Sequence, residues 1–339
     1  MRPAIAFMGA VVFVGTVAAY GYRGLGMPSQ AVEIHHVVEI SEGASFREVA
    51  NLLAQKGLIV SPFWFRLLGK VQDAERKIQP GEYDLHTAMR PVEILNALVK
   101  GKAIHYGVLI PEGLTAQQIG KLLEEAGIAK EADIARLVAD PAFAKSLGLE
   151  AQTLEGYLFP DTYHFRRRTK PEDVLRAMAQ RFKAAYTPEL QAQATALGMT
   201  ERQVVTLASI IEKETGRDDE RPLISAVFHN RLKKRYPLQS DPTVIYGIRN
   251  FSGNLTRKDL GRRTPFNTYT KLGLPPTPIA NPGLQSIQAA LNPAPVKYLY
   301  FVSKNDGSHH FSVTVAEHNR AVERYQKRGV RRTAPRKAA

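Results

Sequence analysis

The segment from Thr200 to Gly216, T-E-R-Q-V-V-T-L-A-S-I-I-E-K-E-T-G, carries apolar residues at Val204, Val205, Leu207, Ala208, Ile210 and Ile211. They cover too much of the circumference for a surface helix, so the spacing predicts a buried one. Thr200 and Gln203 form a T-x-x-Q capping box at its start, and Gly216 is placed to take a left-handed conformation after the last turn. At about 100° per residue, Glu212 falls on the stripe of Val205, Ala208 and Ser209, and Glu214 on that of Leu207, Ile210 and Ile211. Ala208 and Ser209 are small and lie one turn before Glu212, which leaves room for a ligand beside that carboxyl. Two readings of the helix stand. Burial disfavours the charged form of a carboxyl and keeps a proton available, which suits Glu212 as a reactive acid. Alternatively both glutamates pair with Lys213, Arg217 or Arg221 at the end of a core helix.

Toward the N-terminus, residues 3–22 contain no charge. That run is long enough to cross a bilayer once, with Arg2 on the cytoplasmic side and Arg23 beyond. A signal peptide cut near Ala18 or Ala19 is the rival reading. The expected plan is therefore a cytoplasmic N-terminus and transmembrane anchor over 1–23 and a linker over 24–37.

An internal repeat follows. I-S-E-G-A-S-F-R-E-V-A-N-L-L-A-Q-K-G-L from Ile40 aligns without a gap to I-P-E-G-L-T-A-Q-Q-I-G-K-L-L-E-E-A-G-I from Ile110. Each copy predicts a strand ending at E-G, a capped helix (Ser45 with Glu48, Thr115 with Gln118) and a closing glycine (Gly57, Gly127). Between the copies lie a helix opened by Ser61 and Pro62, a turn and strand in K-I-Q-P-G-E-Y-D-L, and a helix in R-P-V-E-I-L-N-A-L-V. Residues 38–102 thus form a small α+β module without paired acids, suited to binding or scaffolding.

Residues 103–326 read as a larger mixed α+β domain, which makes the fold class α+β throughout. Its helices are interrupted by L-E-G-Y-L-F-P-D-T-Y-H-F, whose aromatic rings and acids suit either a sugar subsite or a core loop. R-P-L-I-S-A-V-F-H-N-R-L is a helix opened by Pro222. Ser240 or Asp241 caps another, with Pro242 in its first turn. The tract R-T-P-F-N-T-Y-T-K-L-G-L-P-P-T-P-I-A-N-P-G has little regular structure, a property of functional loops, and a short helix starts at Pro282. Y-L-Y-F-V-S and H-F-S-V flank N-D-G as a hairpin, and Thr314 with Glu317 caps the last helix. Residues 327–339 form a basic, disordered tail.

The formal charge of +14 and the absence of cysteine narrow the chemistry. Disulfides, thiolate metal sites and a cysteine nucleophile are excluded. Basic clusters at 166–168, 233–235 and 262–263 suit anionic lipid or acidic polymers, or serve solubility alone. Aromatic residues do not interleave with them, so nucleic acid is not expected as a partner. His309, His310 and His318 do not make a metal site, because adjacent residues of a strand point to opposite faces.

Taken together, L-E-G-Y-L-F-P-D-T-Y, A-S-I-I-E-K-E-T, V-F-x-N-R-L, L-Q-S-D-P-T-V-I-Y-G, N-T-Y-T-K-L-G-L-P-P-x-P-I-A-N-P-G, A-A-L-N-P and Y-L-Y-F-V resemble the YceG-like family of endolytic murein transglycosylases. The resemblance covers essentially the whole chain and identifies the module over 38–102 as LysM-like. It implies an enzyme anchored in the cytoplasmic membrane with its catalytic domain in the periplasm. Its substrate would be nascent peptidoglycan glycan, its partners the peptidoglycan synthases known as penicillin-binding proteins, and it would need no cofactor. The family's catalytic glutamate maps to Glu212, with Glu214 as supporting neighbour. Glu155, Tyr157, Gln239, Asp241, Asn267 and Tyr269 fall in motifs that line the glycan cleft. Phe266, after Pro265, stands where relatives carry an aromatic residue before N-T-Y.

Such an enzyme needs only one acid, which acts in turn as acid and base; the substrate's acetamido oxygen is the expected group to ease the positive charge that develops at the sugar, with Asp241 as a further candidate. Alternatives from the residues alone are a non-catalytic wall-binding scaffold, and a hydrolase using Asp241 or Glu155 as a second carboxylate.

Overall fold

The computed structural model describes residues 16, 19–249, 251 and 253–327 of the 339-residue chain. By contact the chain divides into two compact units, one up to Gly107 together with His164–Arg168, the other made of Val108–Tyr163 and the chain from Thr169 on. The proposed membrane span and the basic tail lie almost wholly outside the described residues. Among the described residues no helix is long and apolar enough to cross a membrane.

In the first unit, β1 (His35–Ile40) and β2 (Gly81–His86) pair antiparallel, with His35 opposite His86 and Ile40 opposite Gly81. Helices α1 (Phe46–Gln55), α2 (Pro62–Val71) and α3 (Pro91–Val99) complete it. The alternation along β1 turns Val38 and Ile40 inward, where they meet Leu53, Phe65, Tyr83 and Leu95. Phe46 stacks on Phe65 at 5.6 Å between ring centroids, and only a glycine at 69 leaves space for the Phe46 ring. The basic triplet belongs to this unit's own structure. Arg166 donates to the carbonyl of Pro80, Arg167 lies 3.6 Å from Glu82, and Arg168 pairs with Glu39.

The larger part of the chain runs through β3 (Tyr106–Leu109), α4 (Ala116–Glu125), α5 (Glu131–Val138), α6 (Pro141–Ser146), β4 (Thr162–Phe165), α7 (Pro171–Ala185), α8 (Pro188–Ala196), α9 (Glu201–Glu214), α10 (Arg221–Lys233), α11 (Asp241–Tyr246), α12 (Arg257–Leu260), α13 (Leu284–Leu291), β5 (Tyr300–Ser303), β6 (His309–Ser312) and α14 (Val315–Val322). β4, inside the aromatic interruption, pairs with β3, and β5 pairs antiparallel with β6 around the N-D-G turn. All four capping boxes read from the sequence are formed, at Ser45, Thr115, Thr200 and Thr314. Gly57 and Gly127 both stand at φ 69° as helix-closing residues.

Helix α9 is the centre of the second unit, with every residue from Val204 to Ile211 buried. Its end differs from the expectation. Thr215 turns the chain away in an extended conformation at φ −148°, and Gly216 is not left-handed, because the chain leaves the helix straight rather than folding back over it. Helix α13 starts at Leu284 with Gly283 as its cap, two residues later than Pro282 suggested.

Candidate active site

Small residues on α9 permit close approach, but by the chain itself. Ser209 is fully buried, and its hydroxyl oxygen accepts the N–H of Ile279 at 3.0 Å. The space expected beside Ala208 and Ser209 for a ligand is therefore filled by the P-I-A-N-P-G tract. Gly156 meets the same tract. It stands at φ +90°, and a Cβ there would lie 2.5 Å from the Pro278 ring.

Asn281 joins the three loops that surround the end of α9. Its Oδ1 accepts the N–H groups of Gly156 and Leu158, both at 2.9 Å, while its Nδ2 donates to the carbonyl of Leu114 and to Glu155. Its backbone exchanges bonds with Gly113 and Leu114, so the loops 111–116, 154–158 and 279–283 meet at one side chain.

This arrangement carries Gly283 to Glu212. The carboxyl of Glu212 is 8 % exposed; its Oε2 accepts the Gly283 N–H at 3.0 Å, and its Oε1 lies 3.7 Å from the Arg221 guanidinium. Arg221 is itself buried. Its Nε donates to Ser286 Oγ and an amino group to Gln285, both at 3.1 Å, and it pairs with Asp218. Lys213 donates to the carbonyl of Gly113 at 3.0 Å. Of the sequence-level pairings, only Glu212 with Arg221 forms.

A second carboxyl stands at the same glycine. Glu112 lies so close over Gly283 that a Cβ at 283 would sit 1.9 Å from its Oε1. Partial burial and the charge of Glu212 push the Glu112 carboxyl up, against the pull of Arg221.

Glu214 points elsewhere, accepting the hydroxyl of Ser240, which explains why Ser240 begins α11 without a side-chain cap. Burial drives Glu214 up to about 7 against that hydrogen bond, and the nearby charge of Asp241 adds to the rise. Glu155 also rises to about 7 by burial, opposed by donors from Ala116 N–H, the Tyr246 hydroxyl and Asn281.

The six cleft candidates separate into two sets. Glu155, Tyr157 and Asn267 are buried, at 4, 1 and 0 % exposure. Tyr157 packs edge-on to Phe182 and is a core ring, not a surface for sugar. Asn267 holds the carbonyls of Leu260 and Arg262 and the N–H of Tyr269. The aromatic interruption is accordingly the core-loop form, with Phe159, Tyr163 and Phe165 also turned in. Gln239, Asp241 and Tyr269 remain accessible together. Gln239 is at φ +49°, and the Tyr269 hydroxyl donates to Asp241 Oδ1 at 2.6 Å. The charge of Asp241 lies close enough to Glu214 to act on its carboxyl.

Residues that the sequence reading passed over hold both sets. Arg231 donates to the carbonyls of Leu238 and Leu299 at 2.7 Å, fixing the loop before Ser240. Its signal was an arginine inside a helix buried on most sides. The signal for Glu112 was the E-G shared by the two repeat copies, and for Asn281 the N-P-G end of an ordered tract. Among the three histidines, His309 is bound through Nδ1 to Glu220 at 2.6 Å.

The model of the YceG-like family matches residues 38–324. A Bacillus subtilis protein named endolytic murein transglycosylase is 34 % identical over 305 residues, covering 85 % of this chain and 84 % of its own. A Streptococcus pneumoniae protein of the same name is 28 % identical over 351 residues, and the alignment takes in 92 % of this chain but only 63 % of that longer protein. The crystal structure of a YceG-like protein from Listeria monocytogenes superposes with a TM-score of 0.60 at 32 % identity, covering 86 % of this chain and all of that one. The family match thus runs through both repeat copies, α9 and the tract that closes on it, and the chain belongs to the YceG-like family.

Proposed function

We propose that the chain is an endolytic lytic transglycosylase that cuts the β-1,4 bond between N-acetylmuramic acid and N-acetylglucosamine within nascent peptidoglycan strands. The observation that carries this reading is Glu212, a nearly buried carboxyl held by the Gly283 N–H and Arg221 in a protein whose relatives are named for that activity.

Glu212 protonates the glycosidic oxygen as the C1–O bond breaks. The 6-hydroxyl of the same N-acetylmuramic acid then bonds to C1 and returns its proton to Glu212. The product is a 1,6-anhydro end, and no water is consumed. Because Gly283 donates to Oε2, the carboxylate formed midway keeps a hydrogen bond. Gln239, Asp241 and Tyr269 offer the accessible polar and aromatic groups for neighbouring sugars.

In this proposal residues 1–23 anchor the chain in the cytoplasmic membrane with the remainder in the periplasm, beside the synthases that make the strand. The small unit binds glycan or wall without taking part in the chemistry.

Mass analysis of peptidoglycan after digestion tests the reaction. Anhydro ends that vanish with Glu212→Gln support it. Reducing ends would instead mean hydrolysis, with Glu112 as the second carboxylate. Unchanged strands bound by the protein would mean a scaffold.

A further inference from the structure

Helix α2 carries apolar side chains on a face that no described residue covers. Phe63, Leu67 and Val71 recur every fourth residue and are 65, 39 and 77 % exposed. At about 100° per residue they fill one arc, opposite Phe65 and Gly69, which are buried in the core of the first unit. A run of large apolar side chains left open on one helix face marks a contact surface.

One border of the arc leads to the N-terminal segment. Trp64, next around the helix from Val71, lies against residues 19–26, which are helical. A Cβ at Gly24 would stand 2.5 Å from the indole and one at Gly21 3.2 Å from it. Both glycines are buried, whereas Tyr20 and Tyr22 are exposed. The uncharged run over 3–22 ends within this segment. The other border of the arc is basic: Arg66 and Lys70 are exposed, and α2 holds no acid to pair with them.

Aliphatic and aromatic side chains on one arc with cations at its edge are the make-up of a helix that lies in a bilayer interface, its apolar groups among the upper acyl carbons and its cations at phosphate. The chain itself points to this occupant. Trp64 ties α2 to the segment through which the chain leaves its uncharged run, so the apolar arc begins where that run ends.

We propose that α2 is a second membrane contact: Phe63, Leu67 and Val71 enter the interfacial layer of the leaflet from which the anchor emerges, with Arg66 and Lys70 on anionic headgroups. This rests on the reading of residues 1–23 as the anchor. It gives the small unit a lipid surface in addition to the glycan or wall it binds.

The chain has no cysteine, so Val71→Cys admits a single fluorescent label at the most exposed position of the arc. The full labelled chain is placed in phosphatidylcholine vesicles, with and without phosphatidylglycerol. It is then quenched either by phosphatidylcholine spin-labelled near the headgroup or by iodide in the water on both sides. The lipid quencher should lower the emission at least about twofold while iodide has little effect. Phe63→Glu, a change at an exposed position that should keep the melting temperature, should reverse that order. Arg66→Gln with Lys70→Gln should remove the extra lipid quenching that phosphatidylglycerol confers and leave that on neutral vesicles unchanged. A parental label that iodide reaches as freely as in Phe63→Glu overturns the proposal. So does one that neither quencher reaches, which would mean that a second copy or another part of the chain covers the arc. Quenching indifferent to phosphatidylglycerol overturns the part given to Arg66 and Lys70. Alkaline carbonate extraction separates the two readings: a chain retained in the vesicles without lipid quenching loses only the α2 contact, whereas a released chain overturns the anchor and the proposal with it.

Discussion

Asn281 donates through Nδ2 to Glu155 Oε1 at 3.0 Å, a contact between residues 126 positions apart that joins two loops beside α9. With its Oδ1 taken by the N–H groups of Gly156 and Leu158, the Asn281 side chain has a protein partner for each end of the amide. Replacing it with alanine would strand two buried N–H groups and leave the Glu155 carboxyl with only the Ala116 N–H and the Tyr246 hydroxyl as donors. Asn281→Ala should lose about 2–4 kcal/mol of stability in denaturant unfolding.

The acid on α9 gives the activity prediction. Glu212→Gln keeps shape and an acceptor for the Gly283 N–H but has no proton to transfer. Formation of anhydro ends should fall by about two to four orders of magnitude, with folding retained. Glu214→Gln, whose partner is Ser240, should lose much less. Parental rates in Glu212→Gln would mean that α9 is not the catalytic helix.

Stability should depend on pH through Glu155 and Glu214. Each is raised from 4.5 to about 7 in the folded protein, so between these values the unfolded chain gives up protons that the folded one keeps. The unfolded state then binds fewer protons, and stability falls as pH rises from about 4.5 to about 7, levelling above. Urea midpoints across this range should show the fall. In Glu214→Gln it should shrink by its share, on the order of 1–3 kcal/mol.

Gly156 tests the packing of the tract on α9. A Cβ there meets Pro278 at 2.5 Å and Val205 at 2.9 Å, on a backbone at φ +90°. Gly156→Ala should destabilise the second unit by several kcal/mol, about 3 or more, visible as a lower melting temperature together with reduced activity.

Most of what the chain declares locally survives from sequence to structure, the end of α9 at Gly216 and the helix start at Pro282 being the exceptions. Capping boxes at Ser45, Thr115, Thr200 and Thr314 need only a residue and its third neighbour, and the N-D-G hairpin needs only a turn between two apolar runs. The repeat, the burial of α9 and the family motif around Glu212 are legible for the same reason, since each is a pattern within one segment. What covers a segment is not contained in it. Ser209 is small whether a ligand or Ile279 lies against it, and only the fold chose Ile279. Tyr157 has the composition of a sugar platform and packs on Phe182, because the loop that bears it is pulled inward by Asn281. The convergence of Glu112, Glu212, Arg221 and Gly283 joins residues up to 171 positions apart through charge and backbone hydrogen bonds, which depend on distance in space and leave no period in the sequence.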